Sequence, residues 1–321
     1  MAIPRRRFGR TGLEVPAIAF GGGWVGGVLI HRDRDEAFAA LDLAVEAGMD
    51  WLDTAASYGE GVSETVIGEW LRARGAQRRP RISTKFRLDP AAGDLRGQML
   101  RSVDASLGRL GLGNVEVIIL HNQLGLGGLA EDQALRVADL MEELRENNLC
   151  RALGMTALGE PAALVRVVGT GKFDVAQVYC NMLNPTAWMQ RPGWNSTDFA
   201  GLLDACAAED MGVMGIRIFA AGHLASPERH GREIPITANA EDAAESARAS
   251  AVLAALGEGH GTPAQAALRF GLACPGLSTI VIGLGELAHL REAIAAVEMG
   301  PLPDEAIRAL ETAWEGPAFT A

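Results

Sequence analysis

Tyrosine occurs twice in this chain of 321 residues, cysteine four times and histidine six times. The cysteines (Cys150, Cys180, Cys206 and Cys274) form no CxxC pair, and their spacing suits neither a zinc site nor a small disulfide scaffold. Buried free thiols in a reducing compartment are expected. Histidine is too scarce for a metal-assisted hydrolase, which needs several His and carboxylate ligands converging on one point; no metal is expected. No apolar stretch of signal-peptide length follows the basic start MAIPRRRFGR, and no window resembles a membrane span. A cytoplasmic protein is the expectation. Basic charge is also short: 29 Lys and Arg against 40 Asp and Glu give a net charge of −11. Such a surface argues against non-specific nucleic-acid binding and against adhesion to anionic membrane. There is no inter-domain linker and no low-complexity tract, and nothing indicates an oligomeric state.

What is present is core-forming. The composition is 48% hydrophobic and 21% charged, which suits a folded chain with a large interior. Short apolar runs alternate with amphipathic helical stretches. The runs lie at 16–21, 50–54, 81–86, 115–120, 150–156, 174–179, 212–219 and 278–283. Runs this apolar on both faces suit parallel strands covered by helices. Eight strand–helix units predict a (β/α)8 TIM barrel formed by residues 1–321 as a single domain. A doubly wound sheet is the alternative, but it leaves both chain ends long. Residues 5–15 read as a β-hairpin before the first barrel strand. A helix near 242–257 and a C-terminal helix begun by Pro303 and Asp304 complete the pattern. Residues 218–241 read as a long polar loop, either a closing flap or variable surface.

Barrel enzymes place their sites at the C-terminal strand ends. Here the second strand ends in Asp53, and its loop carries Tyr58. The third ends in Lys85, the fourth in His121 and Asn122, and the fifth in Thr156, while the sixth carries Gln177. Each alone has a plain reading: a helix cap, a snorkelling lysine, a satisfied core histidine. Together on one rim they suggest chemistry. A phenol is a poor acid–base near pH 7 unless an ammonium stabilises its anion. An aspartate would fix that ammonium, and a neutral histidine can donate a hydrogen bond to a substrate oxygen. Such a group can protonate a carbonyl oxygen as hydride arrives at carbon, or deprotonate an alcohol in reverse. The hydride must come from a cofactor.

The sequence resembles the aldo-keto reductase superfamily over almost its whole length. The resemblance is carried by FGRTGLEVPAIAFGGG (8–23), WLDTAASYG (51–59), STKF (83–86), ILHN (119–122), GMTA (154–157) and AQVYCN (176–181). It implies a tetrad in which Tyr58 is the general acid–base, Lys85 tunes it, Asp53 holds Lys85 and His121 orients the substrate oxygen. It also implies an NAD or NADP cofactor bound without a Rossmann fold. Contacts to it are expected at Gly22, Gly23, Asp53, Thr156, Gln177, Ile216, Arg217, Gly283, Gly285, Glu286, Arg291 and Glu292. Thr156 and Gln177 would take the carboxamide. The Gly21–Gly23 run reads as close backbone approach or as a simple strand exit.

Three departures stand out. Ala157 replaces a frequent Asn. Ile216 and Arg217 stand where many relatives have a stacking aromatic; Arg217 reads as a cofactor or substrate contact or as a surface ion pair. After the eighth strand, Glu286 stands where NADP-preferring relatives carry basic or hydroxyl residues. A carboxylate repels a 2′-phosphate but accepts from a ribose 2′-hydroxyl, so NAD is favoured; alternatively Glu286 caps a helix and Arg291 rescues NADP. Trp24, Phe86 and Asn122 are candidate substrate-pocket walls, with Trp188 and Trp194 as packing or pocket residues. The expected function is carbonyl–alcohol interconversion on a small molecule, as an alcohol or aldose dehydrogenase or an aldehyde reductase. A non-catalytic NAD(P)-binding regulatory protein on the same barrel is the alternative.

Overall fold

Alternation along each strand decides which side chains enter the barrel and which face the helices. In the computed structural model, which describes residues 3–75, 79–125, 127–191, 193–226 and 241–320, β1 (Arg5–Arg7) and β2 (Glu14–Pro16) form an antiparallel hairpin. The strands β3 (Ile18–Gly21), β4 (Trp51–Asp53), β5 (Arg81–Phe86), β6 (Val115–Leu120), β7 (Cys150–Ala157), β8 (Val175–Tyr179), β9 (Gly212–Ile216) and β10 (Thr279–Gly283) follow. These eight are parallel and close into a barrel, with β10 paired to both β9 and β3. This is the expected (β/α)8 fold.

The helices are α1 (Val28–His31), α2 (Arg34–Glu46), α3 (Val62–Arg74), α4 (Leu95–Leu110), α5 (Glu131–Glu146), α6 (Pro161–Val168), α7 (Leu202–Ala208), α8 (Asp242–Leu256), α9 (Pro263–Ala273), α10 (Leu287–Met299) and α11 (Asp304–Trp314). The one-helix-per-strand expectation is corrected between β9 and β10, where α8 and α9 both stand. Thr262 and Gln265 form a capping box at the start of α9, and Pro263 occupies its first turn, signals that sequence alone carries.

Two cores result. The larger lies between strands and helices. The smaller fills the barrel interior with Ala19, Trp51, Val117, Ile119, Ala152, Val175 and Met214, closed from below by Phe8, Leu13 and Val15 of the hairpin region. Phe8 meets Trp51 edge to face at 5.2 Å between ring centroids. The hairpin is therefore the barrel's floor. Two residues beyond each interior position, the same inward phase reaches the mouth: Trp51 leads to Asp53, Ile119 to His121, Val175 to Gln177 and Met214 to Ile216. An apolar plug below thus carries a polar ring above.

All four cysteines are free and buried. Burial pushes the Cys150 and Cys206 thiols up to about 12, far from the thiolate that redox chemistry requires. Among the described residues no helix is long and apolar enough to cross a membrane. Among them, too, no group of three or more His, Cys, Asp or Glu side chains is placed to hold a metal ion.

Candidate active site at the barrel mouth

A cavity of about 790 Å³ opens at the C-terminal strand ends. Its deepest polar feature is an ion pair. Lys85 Nζ lies 2.6 Å from Asp53 Oδ2, and the two side chains are 0% and 3% exposed. Nζ also donates to Thr54 O at 2.8 Å and to the Tyr58 hydroxyl at 3.1 Å, which uses all three of its donors. The other Asp53 oxygen accepts from Ser83 Oγ at 2.6 Å and from Gln177 Nε2 at 2.9 Å. Trp51 Nε1 donates to Ser83 Oγ at 3.1 Å, so the chain of bonds is anchored in the apolar plug. Burial works against the Lys85 ammonium. The Asp53 charge, with Tyr58, more than offsets that cost, and Lys85 stays above the ordinary lysine value.

Tyr58 reaches this ammonium through a tethered loop. Thr54 N donates to Ser83 O and Ala56 N to Lys85 O, so the chain leaving β4 is pinned along β5. Gly59 follows at φ +60°, and a Cβ there would stand 2.9 Å from Ile30 Cγ2. The turn therefore requires glycine. Across the cavity the Tyr58 and His121 rings meet edge to face at 5.8 Å. His121 Nδ1 is buried with no hydrogen-bond partner. Burial, then the charges of Lys85, Arg87 and Arg217, hold the imidazole well below the ordinary histidine range. It is therefore neutral at pH 7, able to donate one hydrogen bond and accept another.

Asp53, Tyr58, Gly23, Trp24, Thr156, Gln177, Ile216, Arg217, Gly283, Gly285, Glu286 and Glu292 all line the cavity with His121. Lys85 sits just beneath, behind Tyr58. Four expected contacts stand elsewhere. Phe86 is on the outward phase of β5, buried against the helices, so the wall expected there is corrected. Asn122 is likewise corrected: its amide accepts from Leu88 N at 2.9 Å and donates to Leu88 O at 2.8 Å, tying two strand-exit loops together. Gly22 donates its N–H to Asp53 O at 2.9 Å and turns towards Ser63; it is a strand-exit link, while Gly21 and Gly23 supply the cavity wall. Arg291 is exposed on α10, whose cavity side is formed by His289, Glu292 and Ala293. Trp188 packs on Phe270, and Trp194 stacks on Phe319. Of the long polar loop, His223 lies among the described residues, whereas His230 and Arg232 lie outside them.

Arg32 and Arg87 also line the cavity. Arg32, following α1, donates to Gly285 O at 3.1 Å and lies 3.6 Å from Glu286 Oε2. Gly26 brings this segment against β10: a Cβ there would lie 2.4 Å from Leu284 N. Arg87 lines the opposite end beside His121; it continues the inward phase 83, 85, 87 of β5, a signal present in the sequence. Arg217 is held at φ +59°, with Ala220 and Ala221 also at positive φ. Left-handed backbone costs a side-chain-bearing residue roughly 1–2 kcal/mol, so the chain after β9 is strained where Arg217 joins the wall. Asn181 Nδ2 steadies it by donating to Arg217 O at 2.9 Å.

The profile of the aldo/keto reductase family matches residues 17–315. The chain belongs to the aldo/keto reductase family. Members of this family are oxidoreductases that use nicotinamide cofactors, NAD or NADP. L-galactose dehydrogenase of Arabidopsis thaliana is 28% identical over 303 residues, 92% of this chain and 88% of its own. D-threo-aldose 1-dehydrogenase of a Pseudomonas species is 28% identical over 259 residues, 69% of this chain and 72% of its own. The solved aldo-keto reductase AKR11C1 from Bacillus halodurans, in its holo form, superposes with a TM-score of 0.75 at 19% identity, covering 97% of this chain and 96% of that one. That likeness bears on the fold.

The neutral imidazole gives a direct expectation. At pH 6.5 an ordinary histidine is about half protonated. The ring-carbon NMR shifts of His121 are expected to hold their neutral values there. A half-titrated signal at that pH contradicts the electrostatic account of the site.

Proposed function

We propose that this aldo/keto reductase, acting as a single barrel domain, interconverts a carbonyl and an alcohol on a small molecule with Tyr58 as general acid–base. The observation that carries the proposal is the phenolic oxygen held 3.1 Å from an ammonium that is itself fixed by Asp53. Negative charge on that oxygen is stabilised as its proton departs, at a point open to the cavity.

The mouth fits a nicotinamide nucleotide. Gly21, Gly23, Gly283 and Gly285 leave backbone open along one wall. Gln177 spends its amino group on Asp53, while its carbonyl has only a 3.5 Å contact from Thr156. An acceptor thus remains for a carboxamide N–H. Arg217 and Arg32 place positive charge along the route a pyrophosphate would take. When bound, the cofactor supplies or accepts the hydride.

The chain's own residues handle the proton. In reduction Tyr58 gives its proton to the carbonyl oxygen, and Lys85 steadies the resulting phenolate. In oxidation the phenolate takes the hydroxyl proton. His121, neutral and across the cavity, orients that same oxygen by hydrogen bonding. Asp53 keeps Lys85 in place and is not itself a proton carrier. The names of the two dehydrogenase relatives favour an aldose or a related secondary alcohol as the substrate, with oxidation as the working direction.

NAD is the favoured cofactor, because Glu286 stands on the cavity wall. The preference is modest, since Arg32 lies 3.6 Å from that carboxylate and offers a countercharge. Removing the Glu286 charge leaves Arg32 only the longer contact to Glu36, at 3.9 Å. Glu286→Gln is expected to raise NADP affinity relative to NAD by about 2–5-fold in fluorescence titrations, the scale of one exposed charge pair. An unchanged ratio contradicts this placement of the ribose.

Absorbance of the reduced nicotinamide tests the activity itself, with a panel of aldoses, alcohols and carbonyls. Tyr58→Phe is expected to lower the chemical step by at least ~100-fold while cofactor affinity holds. Parallel loss of cofactor affinity marks Tyr58 as structural. Tight cofactor binding by the native protein without turnover favours the non-catalytic alternative.

A further inference from the structure

Arg87 stands out among the charged residues of the mouth. Many of the described arginines have a carboxylate partner, as Arg34 has Glu69, Arg74 has Asp42, Arg96 has Glu143 and Arg166 has Glu131. Arg87 makes no side-chain hydrogen bond or ion pair among the described residues. Yet it lines the cavity, on the inward phase of β5, immediately beyond Lys85. Its charge is felt at His121.

The barrel divides its mouth into two halves. Thr156, Gln177, Ile216, Arg217 and Gly283 come from β7 to β10, the half already argued to hold the cofactor. Tyr58, Arg87 and His121 come from the exits of β4, β5 and β6, which are consecutive neighbours in the sheet. A group bound by Arg87 therefore lies with the reacting oxygen, on the substrate's side. The charge balance there is one-sided. Asp53 is the sole carboxylate among the described lining residues near Tyr58, and Lys85 engages it; Glu286 and Glu292 lie at the far end, beside α10. Ser57 and Gln123, exposed and uncharged, complete this rim.

We infer that the substrate carries an oxyanion, a carboxylate or a phosphate, which Arg87 receives while Ser57 and Gln123 meet its hydroxyls. This rests on the oxidoreductase reading of Tyr58. A planar guanidinium can grip either group with two parallel hydrogen bonds. A hydroxylated acid or sugar phosphate of aldose size is the substrate class that fits.

Calorimetric binding to the NAD-loaded protein at fixed salt tests it without needing turnover. D-galactose, D-galacturonate and D-galactose 6-phosphate serve as a neutral and two anionic probes of one stereochemistry. At least one anion is expected to bind about tenfold or more tightly than galactose, the scale of a charge-assisted hydrogen bond. The tighter anion distinguishes carboxylate from phosphate. Arg87→Met is expected to collapse the anion-to-neutral ratio towards one, Arg87→Glu to invert it and Arg87→Lys to restore part of it. Arg87 is exposed, so these variants keep the core intact, which circular dichroism verifies. Equal affinities for all three sugars, no detectable binding of any, or an anion preference that survives Arg87→Met overturns the inference. Absence of turnover on every carbonyl sinks the proposed reaction instead and leaves this binding comparison decisive for Arg87.

Discussion

A fully buried ammonium is the constraint around which the mouth of this barrel is arranged. Removing a lone ammonium from water costs several kcal/mol. Lys85 is tolerated because every one of its donors is used and because Asp53 lies 2.6 Å away. Asp53 in turn needs its remaining oxygen satisfied, which Ser83 and Gln177 do. Ser83 is oriented by Trp51, and Trp51 is packed on Phe8 of the floor. The N-terminal hairpin is thus linked to the phenol at the other end of the barrel by one continuous line of contacts. Disturbing a link made directly to Asp53 or Lys85 leaves a buried charge short of a partner.

The same ammonium shapes its surroundings. Together with Arg87 and Arg217, and after burial itself, it keeps His121 neutral. A second cation beside Lys85 would be repelled; a neutral imidazole can share a substrate oxygen with Tyr58. The excess of positive charge over Asp53 also makes the Tyr58 end of the mouth locally basic on a chain whose net charge is −11. Overall charge governs solubility and non-specific partners, whereas the few groups inside a cleft govern its ligand.

Much of this was legible in the sequence. Asp53, Lys85, His121, Thr156 and Gln177 each follow an apolar run and share its inward phase, and barrel chemistry gathers at those ends. Phe86 and Asn122 adjoin Lys85 and His121 along the chain but not at the cavity, since a strand sends neighbours to opposite faces. Thr262, Pro263 and Gln265 announce the start of helix α9, but the eight-unit pattern allots a single helix to each connection. Arg32 was unreadable for another reason. Its place beside Glu286 depends on Gly26 letting the segment after β3 close on β10, a contact between residues far apart in sequence. Ser83 and Trp51 were hidden in plain strand residues, since hydrogen bonds across a barrel interior depend on register.

The central claim is that Lys85 serves the chemistry through the oxygen of Tyr58. A double-mutant cycle on the rate of the chemical step, with Lys85→Met, Tyr58→Phe and both together, tests this most directly. If the claim holds, the double variant is no slower than Tyr58→Phe alone, within about threefold, because the lysine has lost the group on which it acts. Losses that multiply would show two independent roles and would contradict the account.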